Sequence, residues 1–415
     1  MEPESKKLQS SNNVVYINKS PESCLDNSEI LHHIFQYLGA GDKGRAAQVC
    51  KKWHEVIYET SMWDDKLYFF NIDQIDMELV LRSLKCRKIT RLVLVSRGCY
   101  DRAVAVERFI FLIHSLGPII KSLCLDEFYV NLSERTLEHA FNKNTLSFLE
   151  NLQLNNDFRG SSETIRVISK RCPYLLSLHL PHCSAFTDDD LIFMTQHLTE
   201  LTRLDMRFCE YFTDVGLLYI SIKMLHLTSF TMKFTRSVTN AGVNHLTSLP
   251  LKELSLYSCL GIDENCIDLL LPLRQSLEHL DIAQCPNLNP NAALVRIAKC
   301  GFLLQSLTIG FDVTKNNSPA AVNNNPGQLN LVTIEYFLWK QAGRQLEHFD
   351  LLGNPKYTDL TGASIVENCP KLKFLYMRDE DVTQRAFGAF ERMKKAPWKS
   401  GNQLHKITMQ RSLSV

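Results

Sequence analysis

No two cysteines stand in Cys-x-x-Cys spacing, although the 415-residue chain holds 13 of them. That absence excludes zinc ribbons and dithiol redox motifs. The cysteines are odd in number and scattered from Cys24 to Cys369, so they read as reduced thiols packed as small hydrophobes. Neither sign of charge prevails, with Lys+Arg 46 against Asp+Glu 45 and a net charge of +1. Without a clustered basic excess there is no counterion-releasing footprint for nucleic acid. No apolar run approaches the roughly 18 residues of a membrane span. The opening MEPESKKLQSSNN lacks the apolar core of a secretory signal. The expectation is a chain of the cytoplasm or nucleus, with no nucleic-acid and no membrane partner.

What is present is a repeat. LLSLHLPHC (Leu175 to Cys183), LTRLDMRFC (Leu201 to Cys209), LKELSLYSC (Leu251 to Cys259) and LEHLDIAQC (Leu277 to Cys285) all fit LxxLxLxxC, and LTSFTMKFT (Leu227 to Thr235) is a substituted copy. The central apolar residues Leu178, Leu204, Phe230, Leu254, Leu280 and Leu307 recur every 24 to 27 residues or so, within the leucine-rich-repeat range. Weaker copies start at Ile89, Ile120, Leu149, Leu304, Leu346, Leu372 and Leu404. About twelve units result, far more than the three or so that a stable stack requires.

Each unit should open with a short strand whose alternate residues enter a core, so that Leu204 and Met206 point in while Arg203, Asp205 and Arg207 point out. Amphipathic helices follow, as in Thr187 to Leu198 and Thr213 to Met224, with Thr or Asp placed to cap them. The expected architecture is a curved α/β solenoid with parallel strands on its concave face. The ninth template position, held by Cys183, Cys209, Cys259 and Cys285, suits a small buried residue. One step, Leu307 to Phe349, exceeds the period by about 16 residues, and Asp312 to Asn330 reads as an unpacked loop insertion. On the outward strand face Arg203, Asp205, Arg207, Phe208, Lys233, Phe234, Ser255 and Tyr257 form a candidate target-binding strip, whose alternating basic and aromatic residues suit an acidic, partly apolar patch.

Before the repeats, residues 1–23 are polar and aperiodic, as in a disordered leader. SEILHHIFQYL then carries Ile30, Leu31, Ile34, Phe35 and Leu38 at helical spacing. After a Gly-rich break a second helical stretch places Ala46, Val49, Cys50, Trp53, Val56 and Ile57 on one face. Two of the four tryptophans, Trp53 and Trp63, fall in this block. Some forty residues support an independent core poorly, so part of this apolar surface awaits a partner.

These residues resemble an F-box, and block plus array are similar to the F-box leucine-rich-repeat class. The pattern is carried by Ile34, Phe35, Leu38, Val49, Cys50, Trp53 and Trp63, in order and at the family's spacing. RCPYL (Arg171 to Leu175) and NCPKL (Asn368 to Leu372) are similar to the family's Cys-Pro-x-Leu before a strand. The Leu-Pro that usually opens an F-box is replaced by Asp26 and Asn27, with Leu25 one position early. The resemblance implies a boundary of 24–70 for the F-box and 71–415 for the array. It implies a non-catalytic substrate receptor of an SCF-type cullin-RING ubiquitin ligase, without cofactor or metal. Leu25, Ile30, Leu31, Ile34, Phe35, Leu38, Val49, Cys50, Trp53 and Trp63 would face a Skp adaptor, which in turn holds cullin and RING subunits, while the repeats hold the protein to be ubiquitinated.

The alternative is a leucine-rich scaffold or inhibitor in which the helical block merely caps the array or binds something else. A cap should turn a polar face outward. Other motifs carry less. Gly39 to Gly44 satisfies GxGxxG but follows a helical pattern where a dinucleotide loop follows a strand. His182 beside Cys183 lacks an orienting third group for nucleophilic catalysis, and His32 with His33 lacks further ligands at metal spacing.

Overall fold

The computed structural model describes residues 27–59, 62–63, 68–73, 76–96, 102–128, 132–142, 146–154, 161–182, 185–208, 210–311, 329–340, 342–352, 364–365 and 368–376. These described residues divide into two units, one of those before position 67 together with Ser83–Ile89, the other of the remaining described residues.

The first unit holds α1 (Ser28–Phe35), α2 (Ala40–Ala46) and α3 (Lys51–Ile57). Asn27 starts α1 by accepting hydrogen bonds from the backbone of Glu29 at 2.9 Å and Ile30 at 3.3 Å, which supplies two of the amides a helix start leaves unpaired. The Gly-rich stretch expected to break the chain is itself helical, forming α2. The expected single second helix is instead interrupted at residues 47–50. Cys50 stands in extended conformation as the N-cap of α3, its Sγ accepting from the Trp53 amide.

Among the described residues the second unit forms one twelve-stranded parallel sheet in strict chain order. Its strands are β1 (Tyr68–Asn71), β2 (Arg91–Ser96), β3 (Ser122–Phe128), β4 (Asn151–Gln153), β5 (Ser177–Pro181), β6 (Arg203–Arg207), β7 (Ser229–Lys233), β8 (Glu253–Ser255), β9 (His279–Asp281), β10 (Ser306–Gly310), β11 (His348–Leu352) and β12 (Phe374–Tyr376). Parallel neighbours require crossovers. The helical ones among the described residues are α4 (Met77–Cys86), α5 (Arg102–Leu116), α6 (Glu134–Ala140), α7 (Ser162–Arg171), α8 (Asp188–His197), α9 (Asp214–Lys223), α10 (Asn240–Leu246), α11 (Cys266–Leu269), α12 (Pro290–Cys300) and α13 (Leu331–Trp339).

Register puts the expected core residues in one row, Leu178, Leu204, Phe230, Leu254, Leu280 and Leu307 being successive partners. All are buried. The array begins earlier than 71, because β1 pairs with β2. Its YFFN sequence shows no LxxLxL pattern, so strand pairing alone reveals it. The unit expected at Leu404 lies outside the described residues.

Adjacent repeats are tied together at their helix starts. The Asp188 carboxylate accepts from the Thr213 amide at 2.8 Å, the Thr213 hydroxyl at 2.7 Å and the Gly216 amide at 2.9 Å. One repeat on, Asp214 accepts from the Thr239 amide at 2.8 Å and hydroxyl at 2.6 Å. Each aspartate sits in the first turn of its own helix, where the dipole favours a negative charge, and also pairs the next helix's opening groups.

Cys259 and Cys285 are buried, with Sγ donating to the carbonyls of Met232 at 3.6 Å and Leu256 at 3.0 Å. Burial pushes the Cys259 thiol up to about 11 and that of Cys285 well above its ordinary value, so both are inert packing residues. Cys183 and Cys209 lie outside the described residues, as do residues 312–328 of the expected insertion. Its last two residues belong to the packed array: Leu329 is buried, and Asn330 caps α13 while its amide donates to Asn291 at 2.8 Å.

Candidate protein-interaction surfaces

In the helical unit the amphipathic α1 divides the apolar residues into two sets. Leu31 and Phe35 face inward, and Phe35 meets the half-buried Trp53 edge-on at 5.0 Å. Val56 and Ile57 of α3 complete this small core. Trp63 is 2% exposed, its Nε1 donating to the Ile57 carbonyl at 2.5 Å, while Lys43 and Arg87 lie 5.2 Å and 4.7 Å from its ring centroid. On the outside, Ile30 is 41% exposed, Ile34 45%, Tyr37 76% and Val49 63%. Ile30 and Ile34 stand one turn apart on α1, and Tyr37 follows just past the C-cap Gln36.

On the outward side of β6 and β7, Arg203, Arg207 and Lys233 are each paired with an acid. Arg207 forks onto Asp205 at 2.7 Å, and His179 approaches the same carboxylate at 2.9 Å. Arg203 reaches from β6 to Glu253 on β8 at 3.3 Å, over Ser229, which donates to that glutamate at 2.7 Å. Lys233 likewise reaches from β7 to Asp281 on β9 at 3.3 Å, over Ser255, which donates to Asp281 at 2.8 Å. Burial acting alone would raise the Asp205 carboxyl, but hydrogen bonds from His179 and Arg207, with their charges, hold it below the usual value. The cations expected to attract an acidic partner patch thus each have an acid beside them on their own face. Thr231, Ser255, Ser306 and Thr308 line an open depression between β7 and β10, flanked by Glu253 and Asp281. Along the end of β5–β7, His182 stacks on Phe208 and Phe208 on Phe234, each at 4.1 Å between ring centroids, and Tyr257 meets Phe234 edge-on at 5.5 Å.

Residues 28–67 match the family model described as F-box-like. This segment is an F-box-like domain. Among solved structures, a chain of the Rad7 and Elc1 complex in yeast is 16% identical, with 86% of this chain and 90% of that one covered and a TM-score of 0.48. An internalin (inlF) from Listeria monocytogenes is 14% identical, with 74% and 82% covered and a TM-score of 0.38.

The residues expected to face an adaptor thus part company in the F-box-like domain. Ile30, Ile34, Val49 and Cys50 are exposed, Leu38 and Trp53 are half-buried, and Leu31, Phe35 and Trp63 are internal. Leu25 lies outside the described residues. Leu31 and Phe35 lie on the buried face of α1 and Trp63 is buried against the Ile57 carbonyl, so these three are placed to support a surface from within. Tyr37, the most exposed of the apolar group, escaped the sequence reading, although its spacing from Ile30 and Ile34 was available. His182 takes its place in the ring stack, which gives it packing instead of a nucleophile to activate.

Proposed function

We propose that this protein is the substrate receptor of an SCF-type ubiquitin ligase. The F-box-like domain engages a Skp-type adaptor, and through it cullin and RING subunits, while the sheet face holds the protein to be modified. The supporting observation is the exposed apolar set Ile30, Ile34, Tyr37 and Val49. A domain that only capped the array would turn polar residues outward, whereas this one leaves four large apolar side chains in water that a partner can bury. The receptor performs no covalent step itself. It contributes proximity, making the encounter of a target lysine with a ubiquitin-charged enzyme effectively intramolecular. Co-elution of the purified chain with a purified Skp-type adaptor tests the reading.

A further inference from the structure

In the middle of the array the chain turns in a left-handed conformation at the same position of successive repeats, directly after β5, β6 and β7 and three residues past the ends of β8 and β9. φ is 53° at His182, 56° at Phe208, 59° at Phe234, 58° at Ser258 and 62° at Gln284. Each of these residues still donates its amide to the next repeat, as Phe208 does to Lys233 at 2.9 Å and Phe234 to Tyr257 at 3.0 Å. The turn belongs to the backbone of the repeat and is compatible with small or polar residues, as Ser258 and Gln284 show. Glycine, asparagine and aspartate enter this region readily, while a bulky side chain there is rare and costs about 1–2 kcal/mol. Phe208 and Phe234 carry that cost without filling the core, since Leu204, Met206, Phe230 and Met232 are already fully buried beneath them and the two rings remain half-buried. Backbone held in a sparsely populated region clusters at active sites and ligand clamps, and these two half-buried rings sit on such backbone.

The stack also fixes what it presents. With His182 on one face and Phe234 on the other, Phe208 can expose only its perimeter, the electropositive edge of the ring. The neighbouring Arg207 and Lys233 are held by Asp205 and Asp281, so the strip is close to neutral. We propose that the His182–Phe208–Phe234–Tyr257 strip docks an extended, uncharged, apolar peptide segment of a protein target, laid across the strands so that its carbonyl oxygens meet the ring edges. Three steps between parallel strands span about 14 Å, the length of about four extended residues. The assignment rests on the receptor reading for its biological role, but its chemistry stands or falls separately.

The test uses a display library of random twelve-residue peptides panned on the full chain, with recovered peptides resynthesised and titrated by fluorescence polarisation. The comparison variant is Phe208→Asn with Phe234→Asn, because asparagine suits the left-handed turn and preserves the fold. Neutral apolar peptides should emerge, bind the variant about tenfold more weakly or worse, and change affinity less than about twofold on moving from low to high salt. The variant should melt no lower than the parent and bind the adaptor equally. Recovery of no peptide, recovery of charged peptides with salt-sensitive binding, or unchanged binding by a variant that melts lower would each overturn the proposal. Failure of the parent to bind adaptor would sink the receptor reading and leave the peptide result intact.

Discussion

At the scale of single residues, Asp205 shows how the sheet face is held together. Its carboxylate is surrounded by His179 and Arg207, and its folded-state pKa lies below the ordinary value. A depressed carboxyl binds protons less readily folded than unfolded. The stability it contributes is therefore fully present above the ordinary aspartate value of about 4 and is lost as pH falls through the folded value. Asp205→Asn should lower the melting temperature at pH 7, and the gap between variant and parent should close in acid, which a pH series of thermal melts reads directly. A gap that persisted unchanged at the lowest pH would show that the charge does not matter. The outward direction of Arg203, Asp205 and Lys233 was legible from strand alternation, but the partners of Arg203 and Lys233 were not, since these two reach acids two strands away and no single-repeat pattern encodes that distance.

Among elements, the decisive contacts run from one helix start to the next. Gly242 is the clearest case, because a Cβ there would meet the Asp214 carboxylate that pairs the Thr239 amide and hydroxyl. Gly242→Ala should destabilise the array by about 1–3 kcal/mol through forced displacement, whereas Ala at the solvent-facing Gly44 of α2 should have little effect; chemical denaturation measures both. The long step between β10 and β11 makes a complementary point. Deleting residues 312–328 should leave the melting temperature nearly unchanged, since loop length enters stability only logarithmically, but extending the deletion through Asn330 should lower it by removing the α13 cap and the buried Leu329. The repeat period, the helix starts at Thr187 and Thr213 and the buried cysteine position were readable because periodicity reflects packing. β1 was not, since its apolar residues carry no repeat spacing, nor was the division of the second helical stretch into α2 and α3, where the Cys50 cap interrupts a continuous apolar pattern.

For the whole molecule, two kinds of surface do different work. The F-box-like domain keeps apolar residues in water on one side of α1, and the sheet keeps a neutralised polar face bordered by stacked rings. Helical spacing made the first legible as a set, but spacing does not say which residues are inside, which is why Phe35 and Trp63 were grouped with Ile34. Proposed adaptor binding through Ile30 and Ile34 of α1 and the adjoining Tyr37 is open to isothermal titration of a purified Skp-type adaptor into the full chain. The expected results are saturable binding by the parent, at least a tenfold loss for Ile34→Ser with Tyr37→Ser at an unchanged melting temperature, and, for Phe35→Ala, a fall in stability of about 3–5 kcal/mol typical of a buried aromatic. Adaptor binding by the Ile34/Tyr37 variant equal to that of the parent, or no binding by the parent at all, would contradict it.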